Sequence, residues 1–121
     1  MTEQGLQAKI TKLITDRGGR PNVIVSSKMG VADIIVCYRS KYIALEVKLP
    51  TTLDTVTPLQ KHFLVMIRGA GGIGRTVSTV KEVADILDMI DTRLANTKYT
   101  LGHLNKDEIE EVKQEFIKDT K

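Results

Sequence analysis

Residues 33 to 50, "DIIVCYRSKYIALEVKLP" (Asp33 to Pro50), decide the reading of this chain. β-Branched and aromatic side chains run from Asp33 to Tyr38 and again from Tyr42 to Leu49, so the stretch reads as two strands of a hairpin. Ile34, Val36, Leu45 and Val47 fall on one face, and Ile35, Cys37 and Ala44 on the other. Strands apolar on both faces are expected at the centre of a sheet, covered by helices. Asp33, Glu46 and Lys48 gather instead at the end of the hairpin away from its turn. With Arg39 and Ser40 as a two-residue turn, Asp33 lies across from Glu46; with Ser40 and Lys41, it lies across from Lys48. Both registers place the three charges on one face. A three-residue loop would move Asp33 to the other face unless a bulge intervened.

The flanking elements follow from periodicity and punctuation. Leu6, Ile10, Leu13 and Ile14 recur at helical spacing over residues 3 to 17, and Arg17 to Gly19 stop that helix. Asn22 to Ser27 reads as a first strand. Thr57 opens a second helix as N-cap, with Pro58 at the first helical position and Gln60 completing a capping box, and Arg68 to Gly72 end it. Arg75 to Thr79 reads as a fourth strand. Thr79 and Glu82 form another capping box ahead of Val83, Ile86, Leu87, Ile90 and Leu94 on one helical face. Asn105 caps a last amphipathic helix with Ile109, Val112, Phe116 and Ile117 in a stripe, to be covered either by its own core or by a partner. The fold class is α/β, of order α-β-β-β-α-β-α with a mixed sheet between helices. Residues 1–94 form the core and 95–121 a C-terminal extension of the same domain.

With 121 residues, the chain fits one domain. Hydrophobic content of 41% and charged content of 27% are ordinary for a globular protein. No apolar run approaches the ~18 residues of a membrane span, "MTEQGLQAKI" lacks the features of a signal peptide, and Cys37 is the single cysteine. The expected setting is a reducing cytoplasm, with no membrane. Net charge is +3, but residues 1–104 hold 14 Lys/Arg against 9 Asp/Glu, while residues 105–121 hold 4 against 6. A basic body permits a polyanionic partner without requiring one. His62 and His103 are too few and too separated for a zinc site.

Two carboxylates beside a lysine stabilise a fold poorly, because like charges repel and desolvation costs can exceed the gain from an ion pair. A divalent cation removes that repulsion. Magnesium takes one or two carboxylates and keeps several waters, leaving room for a phosphate oxygen and a nucleophilic water. The lysine beside it can stabilise phosphate charge or help deprotonate the water.

Asp33 followed by Glu46-x-Lys48 in an α-β-β-β-α-β order resembles the PD-(D/E)xK nuclease superfamily. "EQGLQAKI" (Glu3 to Ile10), "GVAD" (Gly30 to Asp33), "LEVK" (Leu45 to Lys48), "TPLQ" (Thr57 to Gln60) and "GAGG" (Gly69 to Gly72) resemble, in order, the blocks of its VRR-NUC branch. They cover roughly residues 3 to 90. Ala32 replaces the proline usual before the aspartate, a change of backbone preference without chemical consequence. The resemblance implies a restriction endonuclease-like core and a Mg2+- or Mn2+-dependent endodeoxyribonuclease. It implies catalytic roles for Asp33, Glu46, Lys48, Glu3 and Gln60, and metal contacts at Asp33, Glu46, Val47 and Glu3. Lys28, Gln7 and Lys61 are candidate DNA contacts. Small stand-alone viral members imply a phage origin, a homodimer and four-way (Holliday) junctions as substrate.

Each residue also has a plainer explanation. Glu3 is favoured in a first helical turn by the helix dipole, Gln60 is explained by its capping box, and Lys28 by a solvated loop. "GAGGIG" (Gly69 to Gly74) follows a helix, so it reads as a helix stop and not as a phosphate loop. The competing reading of the whole is a catalytically silent nucleic-acid-binding module on the same fold. A structural scaffold with an ion pair at the strand end is a third.

Overall fold

The computed structural model describes residues 1–24 and 30–95, together with Asp107, Glu110, Glu111 and Gln114. Helix α1 spans Glu3–Asp16, and strands β1 (Arg20–Val23), β2 (Ile34–Tyr38) and β3 (Lys41–Val47) follow. A 3-10 turn at Pro50–Thr55 leads into helix α2 (Pro58–Gly69), strand β4 (Ile73–Val77) and helix α3 (Val80–Ala95). The sheet order is β1-β2-β3-β4; the first three strands are antiparallel neighbours and β4 runs parallel to β3. This is the expected mixed sheet flanked by helices. Among the described residues no helix is long and apolar enough to cross a membrane.

The hairpin register is the first of the open alternatives. Tyr38 pairs with Lys41 and Ile34 with Leu45, which sets Asp33 across from Glu46. Arg39 (φ 47°) and Ser40 (φ 67°) are both left-handed. That conformation matches a two-residue turn whose twist suits the strands it joins.

Leu6, Ile10 and Ile14 of α1 and Val83, Ile86, Leu87 and Ile90 of α3 close over Ile34, Val36, Tyr38, Ile43, Leu45, Val47 and Val77. The other face is covered differently from expectation. Helix α2 packs on β3 and β4, so Ala44 and Leu64 are buried with Ala32, Ile35 is half-buried and Cys37 is exposed. A crossover helix lies over the two parallel strands it joins, and among the described residues no helix covers β1 and much of β2 on that side.

Three boundaries moved. β1 begins at Arg20 and runs through Pro21; proline is tolerated because β1 is an edge strand. Ile24 has left the strand, although its N–H still donates to the Asp33 carbonyl at 2.8 Å. β3 stops at Val47. β4 runs from Ile73 and ends at Val77, because Ser78 and Thr79 lead into α3, where the Glu82 carboxylate accepts from the Ser78 N–H and the Thr79 hydroxyl, both at 3.2 Å. The expected C-terminal helix over Asn105 to Ile117 lies largely outside the described residues.

The glycines after α2 act as a stop, with Gly71 at φ 94°. Gly74 has a further role: a β-carbon there would stand 2.5 Å from the Leu64 carbonyl oxygen. That close approach seats α2 on β4 and carries the helix's first turn over the charged end of β3.

Candidate active site

The charged pole is assembled by strand pairing and helix capping. Asp33 precedes β2, and its Oδ2 accepts the Val47 N–H at 2.8 Å. The carboxylate thus takes a backbone donor at the end of the β2–β3 ladder and is fixed against β3. The N–H and C=O of one strand residue point the same way, so the Val47 carbonyl also lies on the Asp33 side. Glu46 stands one residue earlier, its side chain on the α2-covered face that Asp33 shares and opposite to the Val47 side chain, and it is only 1% exposed.

Gln60 holds both of its expected positions. Its carbonyl accepts the Thr57 N–H at 2.8 Å in a complete capping box, and its amide donates to Glu46 Oε1 at 2.9 Å. The cap therefore aims the amide at the acid. Lys48 Nζ lies 3.9 Å from the same Oε1 with its side chain mostly buried. Glu46 Oε2 is buried with no hydrogen-bond partner among the described residues. A buried carboxylate oxygen left bare is costly, and such orphans call for a ligand or a functional reason.

Burial is the largest cause that raises the Glu46 carboxyl, to about 7; the charge of Asp33 adds to it, Lys48 opposes it, and the Glu3 charge raises it further. The pole is therefore electrostatically frustrated. Glu3, at the first position of α1, enters it from the other side of the chain and is itself half-buried. Its Oε2 accepts the Thr52 hydroxyl at 2.7 Å.

Asp33, Glu46, Lys48, Gln60 and Glu3 are thus brought to one end of the sheet. Val47 joins through its backbone, while its side chain is in the core. Gln7 is one turn beyond Glu3 and lines a shallow groove of about 550 Å3 with Gln4, Ala8, Thr11 and Val23, apart from the acid cluster. Lys61 is exposed on α2 next to Gln60. Lys28 lies outside the described residues. Thr52 was missed by sequence reasoning, because the Pro50–Thr55 turn that carries it has no periodicity; a threonine two residues after a proline was the only signal.

Among the described residues no three His, Cys, Asp or Glu side chains close around a single point. That excludes a preformed cage of the zinc type here and suits an ion that takes one or two carboxylates and keeps its waters. The bare Glu46 oxygen beside Asp33, with the Val47 carbonyl on the same side, fits such an ion.

No protein-family model matches the chain, and no curated protein matches it. A solved structure described as a VRR_NUC domain is similar to it, with a TM-score of 0.60 and 22% sequence identity, over 73% of this chain and 97% of that one. A likeness at that identity speaks to architecture, and this chain's own element order is the expected α-β-β-β-α-β-α. The chain shares the fold of that structure, a four-stranded mixed sheet flanked by helices.

Proposed function

We propose that this pole hydrolyses phosphodiester bonds of DNA with the help of Mg2+ or Mn2+. The observation that carries the reading is the buried Glu46, with one oxygen held by Gln60 and the other bare, next to Asp33 and Lys48. Asp33, Glu46 and the Val47 carbonyl would hold the ion, with Glu3 contributing to the charge of the site. When bound, the ion supplies charge neutralisation and Lewis-acid polarisation of a phosphate oxygen.

The remaining steps belong to the chain. Gln60 fixes Glu46 so that Oε2 stays directed to the ligand side, and Val47 N–H does the same for Asp33. Lys48 places a positive charge where the phosphate gains negative charge as water adds to phosphorus and one P–O bond breaks. Burial of Glu46 and Lys48 strengthens each of these electrostatic terms relative to water.

The preferred substrate is branched DNA such as a four-way junction, acted on by a homodimer. This reading rests on the resemblance to small stand-alone VRR-NUC members and is consistent with the chemistry: one such site cuts one strand, so paired cuts across a symmetric junction need two copies. Few aromatic side chains are present, which favours recognition by backbone and shape over base stacking.

The test is incubation with four-way, flapped and linear DNA, with and without Mg2+ or Mn2+, for the parent and for Asp33→Ala. Metal-dependent cleavage that Asp33→Ala abolishes is expected. Binding without cleavage under every metal condition leaves a silent binding module instead, and a strict monomer that prefers flaps overturns the junction and dimer while keeping the nuclease.

A further inference from the structure

We propose that Thr52 is a positioning residue that holds the Glu3 carboxylate in the site, an assignment that rests on the metal-assisted reading above. Glu3 has three rotatable side-chain bonds and faces two other acids, so by itself it would swing outward to water and away from their charge. Something must hold it in place.

The hydroxyl of Thr52 is arranged for that task. Its Oγ1 accepts the Leu49 N–H at 3.0 Å, which leaves its single proton for an acceptor. Two acceptors are in reach, Glu3 Oε2 at 2.7 Å and the Leu49 carbonyl at 3.3 Å. The Leu49 carbonyl already receives the Thr52 N–H at 2.9 Å, and the shorter, charged acceptor is the stronger one. The proton therefore belongs to Glu3.

The consequence is a change of reference frame for Glu3. Leu49 follows Lys48 directly, so the bond between Thr52 and Glu3, 49 residues apart in sequence, registers a carboxylate from the start of α1 to the segment that carries Glu46 and Lys48. The Pro50–Thr55 turn, whose backbone is held by the Thr52 N–H bond to Leu49 and by the Thr55 hydroxyl bond to the Thr52 carbonyl at 2.6 Å, serves as the strut. Partners of this outer kind typically alter metal affinity by about 10–100-fold when removed.

The experiment measures Mn2+ binding to the protein alone, by calorimetry or by electron paramagnetic resonance, for the parent, T52V, T52S, E3Q and the T52V/E3Q double variant. T52V keeps the shape and loses the proton donor, so a rise of about tenfold or more in the Mn2+ Kd is expected, with T52S within about threefold of the parent. In the double variant T52V should add nothing to E3Q, because the bond it removes is already weakened. Thermal melting in EDTA accompanies each variant. Unchanged Mn2+ binding in T52V overturns the proposal, as does a T52V effect that persists undiminished on the E3Q background, which would assign it to the fold of the turn. Absence of Mn2+ binding by the parent chain overturns the reading of the site itself, and this assignment with it.

Discussion

The β2–β3 hairpin carries charge at both ends, and the two ends treat it in opposite ways. At the turn end Asp91 of α3 accepts the Tyr38 hydroxyl at 2.8 Å, Arg39 Nε at 2.8 Å and Arg17 Nη2 at 2.8 Å, and Arg17 also reaches Asp88 at 2.8 Å. Acids and arginines alternate there, and the buried Tyr38 hydroxyl is satisfied. Burial alone would raise the Asp91 carboxyl, but hydrogen bonds from Tyr38 and Arg17 and the charges of both arginines outweigh it and hold it below its ordinary range. At the open end Glu46 has Lys48 at 3.9 Å but also feels the charges of Asp33 and Glu3, one of its buried oxygens is bare, and its carboxyl is raised to about 7. The turn end ties α1, the hairpin and α3 together. The open end works against the fold, as clusters of perturbed carboxylates at functional sites do.

The largest effect that separates the two ends is on chemistry. Glu46→Gln and Lys48→Ala should each lower metal-dependent cleavage by about a hundredfold or more while leaving DNA binding largely intact. Asp91→Ala should leave the cleavage rate of the folded fraction unchanged. Parental cleavage in either open-end variant breaks the comparison.

A second contrast is in pH dependence. Glu46 has a folded value of about 7 against an ordinary 4.5, so the folded state binds the extra proton between them. Its contribution to stability is fully present below 4.5 and is lost as pH rises through 7. In EDTA, the unfolding free energy from urea titrations should fall between pH 5 and pH 8, by an amount on the order of 3 kcal/mol at most. Glu46→Gln should flatten that slope and be more stable than the parent at pH 8. Asp91 acts in the reverse direction: its depressed carboxyl contributes stability above its ordinary range and loses it only as pH falls below that range. A parent whose stability rises from pH 5 to pH 8 contradicts the reading of Glu46.

Asp91→Ala tests the turn end directly. It leaves the buried Tyr38 hydroxyl and two guanidinium groups without this acceptor and should cost about 2 kcal/mol, since the carboxylate is partly exposed. Chemical denaturation checks it, and a loss below about 0.5 kcal/mol would reduce the network to surface charge.

The smallest effect sharpens the register. Ser40 sits at φ 67°, a conformation that glycine adopts without strain, so Ser40→Gly should raise stability by roughly 0.5 kcal/mol without altering cleavage. A destabilised variant would argue against the two-residue turn that sets Asp33 opposite Glu46.

Much of this was legible in residue order because it is local. The Thr57-Pro58-x-Gln60 cap, the α1 and α3 stripes and the hairpin depend on neighbours within four residues or on a turn of two. Asp33, Glu46 and Lys48 could be grouped on one face because a two-residue turn makes pairing simple arithmetic. The start of β1 was misplaced because Pro21 argues against a strand until its position at the sheet edge is known. Cys37 was expected under a helix because both faces of β2 read as apolar, while only the seating of α2 on β3 and β4 decides which of them is covered.

Periodicity, capping and the spacing of three charged residues, with the family resemblance, were enough to set the element order and to single out Asp33, Glu46, Lys48, Gln60 and Glu3, which the fold brings to one end of the sheet. The tertiary structure decided what those residues experience. Glu46 is desolvated because Gly74 lets α2 settle on β4 and Gln60 reach the carboxylate; Glu3 is held because Thr52, on a turn without periodicity, meets it across 49 residues. Such terms are invisible to local patterns because desolvation and hydrogen bonding depend on which distant segments exclude water from a group, and only the packed chain settles that.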